Sequence, residues 1–164
     1  MSIHIFLANK IIERLMELEK EIKQSKFRNE YQKMIINILF TAGWLNHHNS
    51  LKLKPHGISP QQFNVLRILR GQHPNPVTIN LLQERMLDRM SNASRLVEKL
   101  RQKNLVERRV CERDRRAVDV IITDQGLAIL AELDKVMIEW ENECKVLSES
   151  EADTLNRLLN KLRG

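Results

Sequence analysis

The chain has 164 residues, 42% of them hydrophobic, and a formal net charge of +6. This composition allows one folded domain with helical extensions and excludes global disorder. It contains no apolar run of roughly 18 residues, which excludes a transmembrane helix.

The first ten residues, MSIHIFLANK, lack the basic start and the small-residue cleavage site of a secretory signal. Two cysteines, Cys111 and Cys144, are too few for a disulfide framework. We therefore expect a cytoplasmic protein with no membrane partner.

The positive charge is concentrated in one stretch of the chain. Residues 85–116 contain 11 Lys and Arg against 5 Asp and Glu, whereas residues 124–164 contain 5 against 9. A basic stretch followed by an acidic one predicts a surface that binds a polyanion, on a body that avoids it.

Residues 1–57 are predicted to form N-terminal dimerisation helices. A narrow apolar seam runs through residues 8–24 at Ile11, Leu15, Leu18 and Ile22. Ser25 is the predicted cap of a second helix with a wider apolar stripe, which ends at the breaker sequence KPHG at residues 54–57.

Residues 58–123 are predicted to form a compact module that begins with three helices. Ser59, Pro60 and Gln62 give the first helix a capping box with proline at its first position. Thr78 is the predicted cap of the second helix. Asp88 is the predicted start of the third, and Asn104 ends it because asparagine tolerates left-handed backbone.

A β hairpin follows these helices. The segments LVERRV and AVDVIIT alternate apolar and polar residues, as half-buried strands do, and five consecutive charged residues, 112–116, lie between them. Two helices joined by a tight turn and followed by a hairpin predict a helix-turn-helix with a β wing.

Residues 124–164 are predicted to form C-terminal dimerisation helices. Thr123 can cap the first of them, and SESE at residues 148–151 is a capping box for the last. The terminal helices carry more apolar surface than one small module can cover, which predicts a two-fold homodimer. The expected fold class is mainly α: a winged helix-turn-helix with a small β hairpin and long terminal helices.

The third helix of the module is predicted to read DNA, since the second helix of a helix-turn-helix enters the major groove with its N-terminal residues facing base edges. Lys99, farther along, is placed for phosphates. Polar residues on the exposed side of an ordinary helix would look the same, so the helix alone does not decide the matter. The predicted contacts are Arg89, Ser91, Asn92, Ser94, Arg95 and Lys99.

The charged hairpin tip supports the same prediction, because arginine can enter a narrow minor groove where the negative potential is enhanced. Arg113, Arg115 and Arg116 are the predicted wing contacts. Asp114 would meet phosphates of like sign, so we expect it to pair with a neighbouring arginine and set the shape of the tip. The alternative is a solvated charge run.

Residues 77–126 resemble the MarR family of bacterial winged helix-turn-helix regulators. The resemblance rests on SNASRLVEKL, KNLVERR and DRRAVDVIITDQG, which occur in the family's order and spacing. It implies a homodimer on a palindromic operator, with Ser91, Asn92, Ser94 and Arg95 in the major groove and Arg115 in the minor groove. Two features depart from the family: Asn104 replaces the usual glycine, and the first N-terminal helix is extra.

The resemblance also implies a crevice for a small, often aromatic or phenolic anion, between the dimerisation helices and the winged module. Trp44, His48 and Phe63 are the predicted lining residues, although Trp44 and Phe63 also suit a core. The expected function is a ligand-responsive repressor of transcription that binds double-stranded DNA as a homodimer on a pseudo-palindromic operator.

Three alternatives remain beside this function: redox sensing through Cys111 in the wing, metal sensing through histidines, and a winged module that binds protein or RNA. The candidate histidines are His47, His48, His56 and His73. Adjacent histidines on a helix point about 100° apart, which disfavours one shared ion. The sequence shows no nucleophile with its base, no pocketed carboxylate pair and no phosphate-binding glycine loop. We therefore predict a protein that is not an enzyme and needs no cofactor or metal.

Overall fold

The computed structural model describes residues 16–110 and 118–164. The chain divides into two compact units, one of residues 47–140 and one drawn from residues 1–46 and 141–164. The described helices are α1 (Leu18–Glu21), α2 (Glu30–Leu53), α3 (Pro60–Arg70), α4 (Ile79–Arg85), α5 (Ala93–Arg101), α6 (Asp124–Glu143) and α7 (Glu149–Arg163). The described strands are β1 (Val77–Thr78), β2 (Val106–Val110) and β3 (Val118–Ile122).

The predicted mainly helical fold with a β hairpin is confirmed. Strands β2 and β3 pair antiparallel, with Val106 opposite Ile122 and Val110 opposite Val118. The two-residue strand β1 adds to the other edge of β3, so the strand order is β1-β3-β2. No alternation in the sequence marks β1, because two residues are too few to show a period of two.

The unit of residues 47–140 contains the predicted module 58–123 and continues beyond it into α2 and α6. Its core is a single apolar cluster fed by every described helix of the module and by the sheet. The fully buried members include Leu66 from α3, Leu82 from α4, Val97 from α5, Val120 from β3 and Leu130 from α6.

Short-range capping signals correctly predicted where three helices begin. Ser59 accepts a hydrogen bond from the Gln62 amide, and the Gln62 side chain accepts one from the Ser59 amide. Thr78 Oγ1 accepts from the Leu81 amide and caps α4. Ser148 and Glu151 form the predicted capping box of α7.

The prediction that Ser25 caps the second helix was wrong. Helix α2 begins at Glu30, and Asn29 Oδ1 accepts the Gln32 amide at 3.0 Å. Both residues are good N-caps, and the side chain that meets an amide three residues later decides the boundary. Of the predicted first helix, residues 8–15 lie outside the described residues, and α1 ends at Glu21.

The junction between the end of α5 and the start of α6 depends on Asn104 and Gly126. Asn104 has φ 58°, the left-handed conformation predicted for it. Its carbonyl accepts the Thr123 hydroxyl at 2.7 Å, and Thr123 Oγ1 in turn accepts the Gly126 amide at 3.0 Å. A Cβ on Gly126 would lie 2.2 Å from the Leu105 carbonyl oxygen, so this close approach requires glycine.

A partly exposed ion pair joins α3 to α6 within the same unit. Both Arg70 guanidinium nitrogens contact the Asp134 carboxylate, at 2.5 and 3.1 Å. The two-pronged geometry stabilises the pair beyond an ordinary surface contact. None of the described helices is both long enough and apolar enough to cross a membrane.

Candidate nucleic-acid interface

The side chain of Gln83 on α4 forms three hydrogen bonds with the backbone that leads from α4 into α5. Its Nε2 donates to the Arg89 carbonyl at 2.6 Å and to the Ser91 carbonyl at 2.8 Å. Its Oε1 accepts the Ala93 amide at 3.1 Å. A single amide on α4 therefore holds both the turn and the first residue of α5 in a fixed position relative to α4.

Asp88 shapes the turn and does not begin the next helix, contrary to the prediction. Its carboxylate accepts the Ser91 hydroxyl at 2.7 Å and the Met90 amide at 3.0 Å. These hydrogen bonds, the one from Ser91 foremost, hold the pKa of Asp88 below its usual value. The turn is also fixed at its start, where the Leu87 amide donates to Asn64 Oδ1 of α3 at 2.9 Å.

Helix α5 begins at Ala93, and Asn92 is its N-cap. Asn92 Oδ1 accepts the Arg95 amide at 2.9 Å. Apolar residues Ala93, Val97 and Leu100 are buried in the core, so the opposite face of α5 is turned to solvent.

Of the predicted reading residues, five of six are exposed, four of them at the start of α5 or in the preceding turn and Lys99 in the last turn of α5. They are Arg89, Asn92, Ser94, Arg95 and Lys99, whereas Ser91 is half-buried. Ser91 uses its hydroxyl on Asp88 and its carbonyl on Gln83, and it thus belongs to the support of the turn.

Glu98 ties α5 to the first strand of the hairpin. Its carboxylate accepts Arg101 of the same helix at 2.8 Å and Arg108 of β2 at 3.3 Å. The hydrogen bond from Arg101, followed by the charges of both arginines, lowers the pKa of Glu98 to about 2. Glu98, the one carboxylate on α5, therefore stays ionised at physiological pH, and the charges of Arg101 and Arg108 offset its own.

The cations of this region fall into two groups. Arg101, Arg108 and Arg109 are paired with carboxylates of the protein, and Lys103 donates to the Gly57 carbonyl. The second group forms no ion pair with another described residue and remains available to an outside anion. It comprises Arg85, Arg89, Arg95 and Lys99.

The predicted wing contacts cannot be placed in this arrangement. Strands β2 and β3 are in register up to the pair Val110 and Val118. The structure does not describe residues 111–117, which include Cys111, Arg113, Asp114, Arg115 and Arg116.

The three predicted effector residues have different surroundings. Phe63 is buried in the core of the module, 6% exposed. His48 stacks on Trp140 with ring centroids 5.6 Å apart. Trp44 lines a cavity of about 190 Å³ formed by the terminal unit alone. The other lining residues of this cavity are Met16, Leu18, Asn37, Phe40 and Thr41.

Neither metal nor thiol chemistry finds support in the described part of the chain. No group of three His, Cys, Asp or Glu side chains there could hold a metal ion. Burial, together with Glu143 and Glu141, raises the pKa of Cys144 and disfavours its reactive thiolate.

Sequence reasoning overlooked two residues of the turn. Leu87 is 91% exposed and Met90 is 94% exposed, the highest values among the large apolar side chains of the described residues. A signal was present in the sequence, since both fall between the end of the α4 apolar pattern and the start of the α5 pattern.

Comparison with known proteins adds three findings. A model of the MarR family matches residues 56–117. The HTH-type transcriptional regulator MhqR of Bacillus subtilis is 27% identical over 119 residues, which cover 72% of this chain and 81% of MhqR. The transcriptional repressor MprA of Escherichia coli is 26% identical over 156 residues, covering 88% and 86% of the two chains.

A solved structure shares the fold and most of the length. The crystal structure of a mutant Escherichia coli MarR complexed with operator DNA superposes with a TM-score of 0.74 and 26% identity. The superposition covers 84% of this chain and 99% of that one.

Proposed function

Because this chain belongs to the MarR family of winged helix-turn-helix transcription regulators, we propose that it is a sequence-specific regulator that binds double-stranded DNA. In this proposal it is a repressor that acts as a homodimer on a pseudo-palindromic operator and is released by a small ligand. The observation that carries the proposal is the exposed start of α5, held by Gln83 and flanked by cations that form no ion pair within the described residues.

The chemistry of this surface suits duplex DNA. Arg89 and Arg95 stand at the N-terminal end of α5, where backbone amides add positive potential, and Lys99 lies one turn farther along. Arginine can make a two-pronged contact with guanine, whereas lysine suits phosphates. The ion pairs of Glu98 with Arg101 and Arg108 offset the charge of the carboxylate on α5.

The wing residues enter the proposal as further contacts. Arg113, Arg115 and Arg116 fall between β2 and β3 in the sequence, and β2 is joined to α5 through the ion pair of Arg108 with Glu98. We assign Arg115 to the minor groove, with Asp114 setting the shape of the tip. The mutant Escherichia coli MarR is complexed with operator DNA, which supports duplex DNA as the partner.

The homodimer is supported by apolar side chains that the single chain leaves exposed on its terminal helices. On α2, Tyr31, Ile35 and Leu39 are 76%, 52% and 68% exposed, and they recur at spacings of four residues. On α7, Leu155, Leu158 and Leu162 are 46%, 58% and 52% exposed. Such faces are the usual material of an interface between identical subunits.

The proposed effector is a small aromatic or phenolic anion, and Trp44, which lines the cavity of the terminal unit, is its candidate contact. Tryptophan fluorescence of the protein–DNA complex can be followed during titration with 2-hydroxybenzoate. Binding that quenches the fluorescence and releases the DNA supports a ligand-responsive repressor. Absence of both effects counts against this ligand class.

The test of the main proposal is duplex binding as a function of salt. Duplexes enriched by the wild-type protein from a random pool are labelled, and their affinities are measured by fluorescence anisotropy. A protein that neutralises about six to ten phosphates loses about 10³ to 10⁵-fold in affinity between about 50 and 200 mM salt. Enrichment of no duplex, or affinity independent of salt, contradicts the proposal.

Arg95→Gln and Arg157→Gln form a matched pair for the same assay. Arg95 on α5 forms no ion pair with another described residue, whereas Arg157 lies on α7 and pairs with Asp153. The first change is expected to lower DNA affinity and flatten the salt dependence, and the second is expected to leave both unchanged.

A further inference from the structure

Two apolar side chains stand almost fully in solvent beside the cations that the proposed function uses. Leu87 and Met90, 91% and 94% exposed, belong to the six-residue segment 86–91 that leads from α4 to the cap of α5. The buried residues nearest in sequence are Met86 and Ala93. The apolar core therefore surrounds this turn in sequence without covering either side chain.

The exposure of Met90 is a property of a fixed backbone. Its own amide donates to Asp88 Oδ1 at 3.0 Å. The neighbouring carbonyls of Arg89 and Ser91 both accept from Gln83 Nε2. With hydrogen bonds on both sides, the turn holds the thioether side chain outward at a defined place, two residues before the cap Asn92.

The charge around Met90 determines which class of partner can cover it. Arg89 adjoins it, Arg95 follows within the first turn of α5, and neither forms an ion pair with another described residue. Asp88, the acidic residue of this turn, directs its carboxylate to the Met90 amide and the Ser91 hydroxyl. The two arginines therefore favour a polyanionic partner at Met90. In duplex DNA the apolar group exposed on base edges of the major groove is the C5 methyl of thymine.

We propose that Met90 is a specificity-determining residue that packs against a thymine methyl group in the major groove. This inference rests on the proposed DNA-binding function and adds an apolar contact to the polar contacts of α5. Methionine is unbranched and polarisable, which lets it fit the edge of a base step. Removal of the methyl group from the DNA should then weaken binding as removal of the side chain does.

The test uses duplexes that differ only by methyl groups. A duplex selected by the wild-type protein is made once with thymidine and once with deoxyuridine at the half-site positions, which leaves every hydrogen-bonding group unchanged. The affinities of both are measured for the wild type and for Met90→Gln, Met90→Leu and Leu87→Gln. Each altered side chain is exposed, so the variants are expected to fold, and circular dichroism checks this.

We expect the wild type to bind the thymidine duplex more tightly, by about fourfold for each methyl group that is buried. Met90→Gln should remove the preference, whereas Met90→Leu, which stays apolar, and Leu87→Gln, which alters the matched neighbour, should keep it.

Equal binding of the two duplexes by the wild type would overturn the inference while leaving DNA binding intact. A preference that survives in Met90→Gln, or that is lost in Leu87→Gln alone, would also overturn it. Failure of any duplex to bind would instead remove the proposed function itself. Loss of repression in cells by Met90→Gln with unchanged discrimination in vitro would point to a protein partner and likewise contradict the inference.

Discussion

Asn92 is part of the protein's own structure as well as a predicted reader of DNA. Its Oδ1 accepts the Arg95 amide at 2.9 Å and satisfies one of the free amides at the start of α5. The oxygen is therefore engaged while the Nδ2 hydrogens are free to donate. A capped Asn92 suits an acceptor on a base edge better than the two-pronged contact with adenine, which needs both atoms.

Substitutions at Asn92 should separate these two roles. Asn92→Ala loses the cap and is expected to lower the free energy of unfolding by about 1 kcal/mol. Asn92→Ser keeps a capping oxygen and is expected to retain most of the stability. Urea unfolding measures this difference.

If Asn92 also reads a base, Asn92→Ser should relax sequence preference at one position of the selected duplexes although its fold is intact. Unchanged preference in Asn92→Ser would restrict the residue to its capping role.

The cap of α5 shows where prediction from sequence stopped at the scale of single residues. Asp88 and Asn92 are both good N-caps four residues apart, and local preference does not distinguish them. The distinction comes from Gln83, ten residues before Ala93, whose side chain accepts the Ala93 amide and holds the turn open. Ser59, Thr78 and Ser148 were predictable because each meets its partner three residues later.

At the scale of elements, the Glu98 carboxylate that joins α5 to β2 makes this contact dependent on pH. The pKa of Glu98 falls from 4.5 to about 2 in the folded protein, through hydrogen bonds with Arg101 first and then Arg108. A group whose pKa is depressed by folding stabilises the protein above its unfolded pKa. That contribution is lost as the pH falls from about 4.5 towards 2.

Glu98→Gln should therefore remove part of the acid sensitivity of the fold. The wild type is expected to lose stability between pH 5 and pH 3 by more than the variant does, as measured by urea unfolding at the two pH values. Asp153→Asn, on α7 in an exposed pair with Arg157, provides the control. An equal pH dependence in wild type and Glu98→Gln would show that the Glu98 contacts do not stabilise the fold.

Alanine substitutions at two helix glycines, Gly126 and Gly43, are expected to change the free energy of unfolding in opposite directions. Gly126→Ala places a Cβ 2.2 Å from the Leu105 carbonyl oxygen and 2.7 Å from the Ile122 side chain. We expect it to lower the free energy of unfolding by about 1–3 kcal/mol, because the backbone must shift.

Gly43, within α2, has nothing within 4 Å of such a Cβ. Gly43→Ala is therefore expected to stabilise the protein by roughly 0.5–1 kcal/mol through helix propensity. Thermal unfolding of both variants tests the pair, and destabilisation by both would contradict the assigned environment of Gly43.

Elements were predictable to the extent that their signals are local. The hairpin, the apolar faces of α5 and α6, and the Thr123–Gly126 junction all follow from patterns within a few residues. Strand β1 exists because Val77 and Thr78 pair with Val120 and Asp119. That pairing joins residues more than 40 positions apart, and no local pattern encodes it.

At the scale of the whole molecule, the exposed faces of α2 and α7 require a second copy in our proposal. Leu158→Glu puts a charge on the α7 face and is expected to weaken dimerisation by at least about 100-fold, since both copies lose a buried leucine. Sedimentation equilibrium measures this change.

Leu87→Glu is the matched control because Leu87 is also an exposed leucine but lies in the turn before α5 and is not part of the proposed dimer faces. A wild-type protein that sediments as a monomer at all concentrations, or dimerisation unaffected by Leu158→Glu, would contradict this role of α7.

The occupied state of Glu98 has a consequence for control of transcription. With its carboxylate already satisfied by Arg101 and Arg108, the reading helix presents cations whose charge does not vary with mild acidification. The proposed affinity for DNA should therefore vary with the salt concentration in the cell and stay nearly constant when the internal pH changes slightly. In our proposal, a signal that releases the DNA therefore acts by changing the positions of the helices and not their charge.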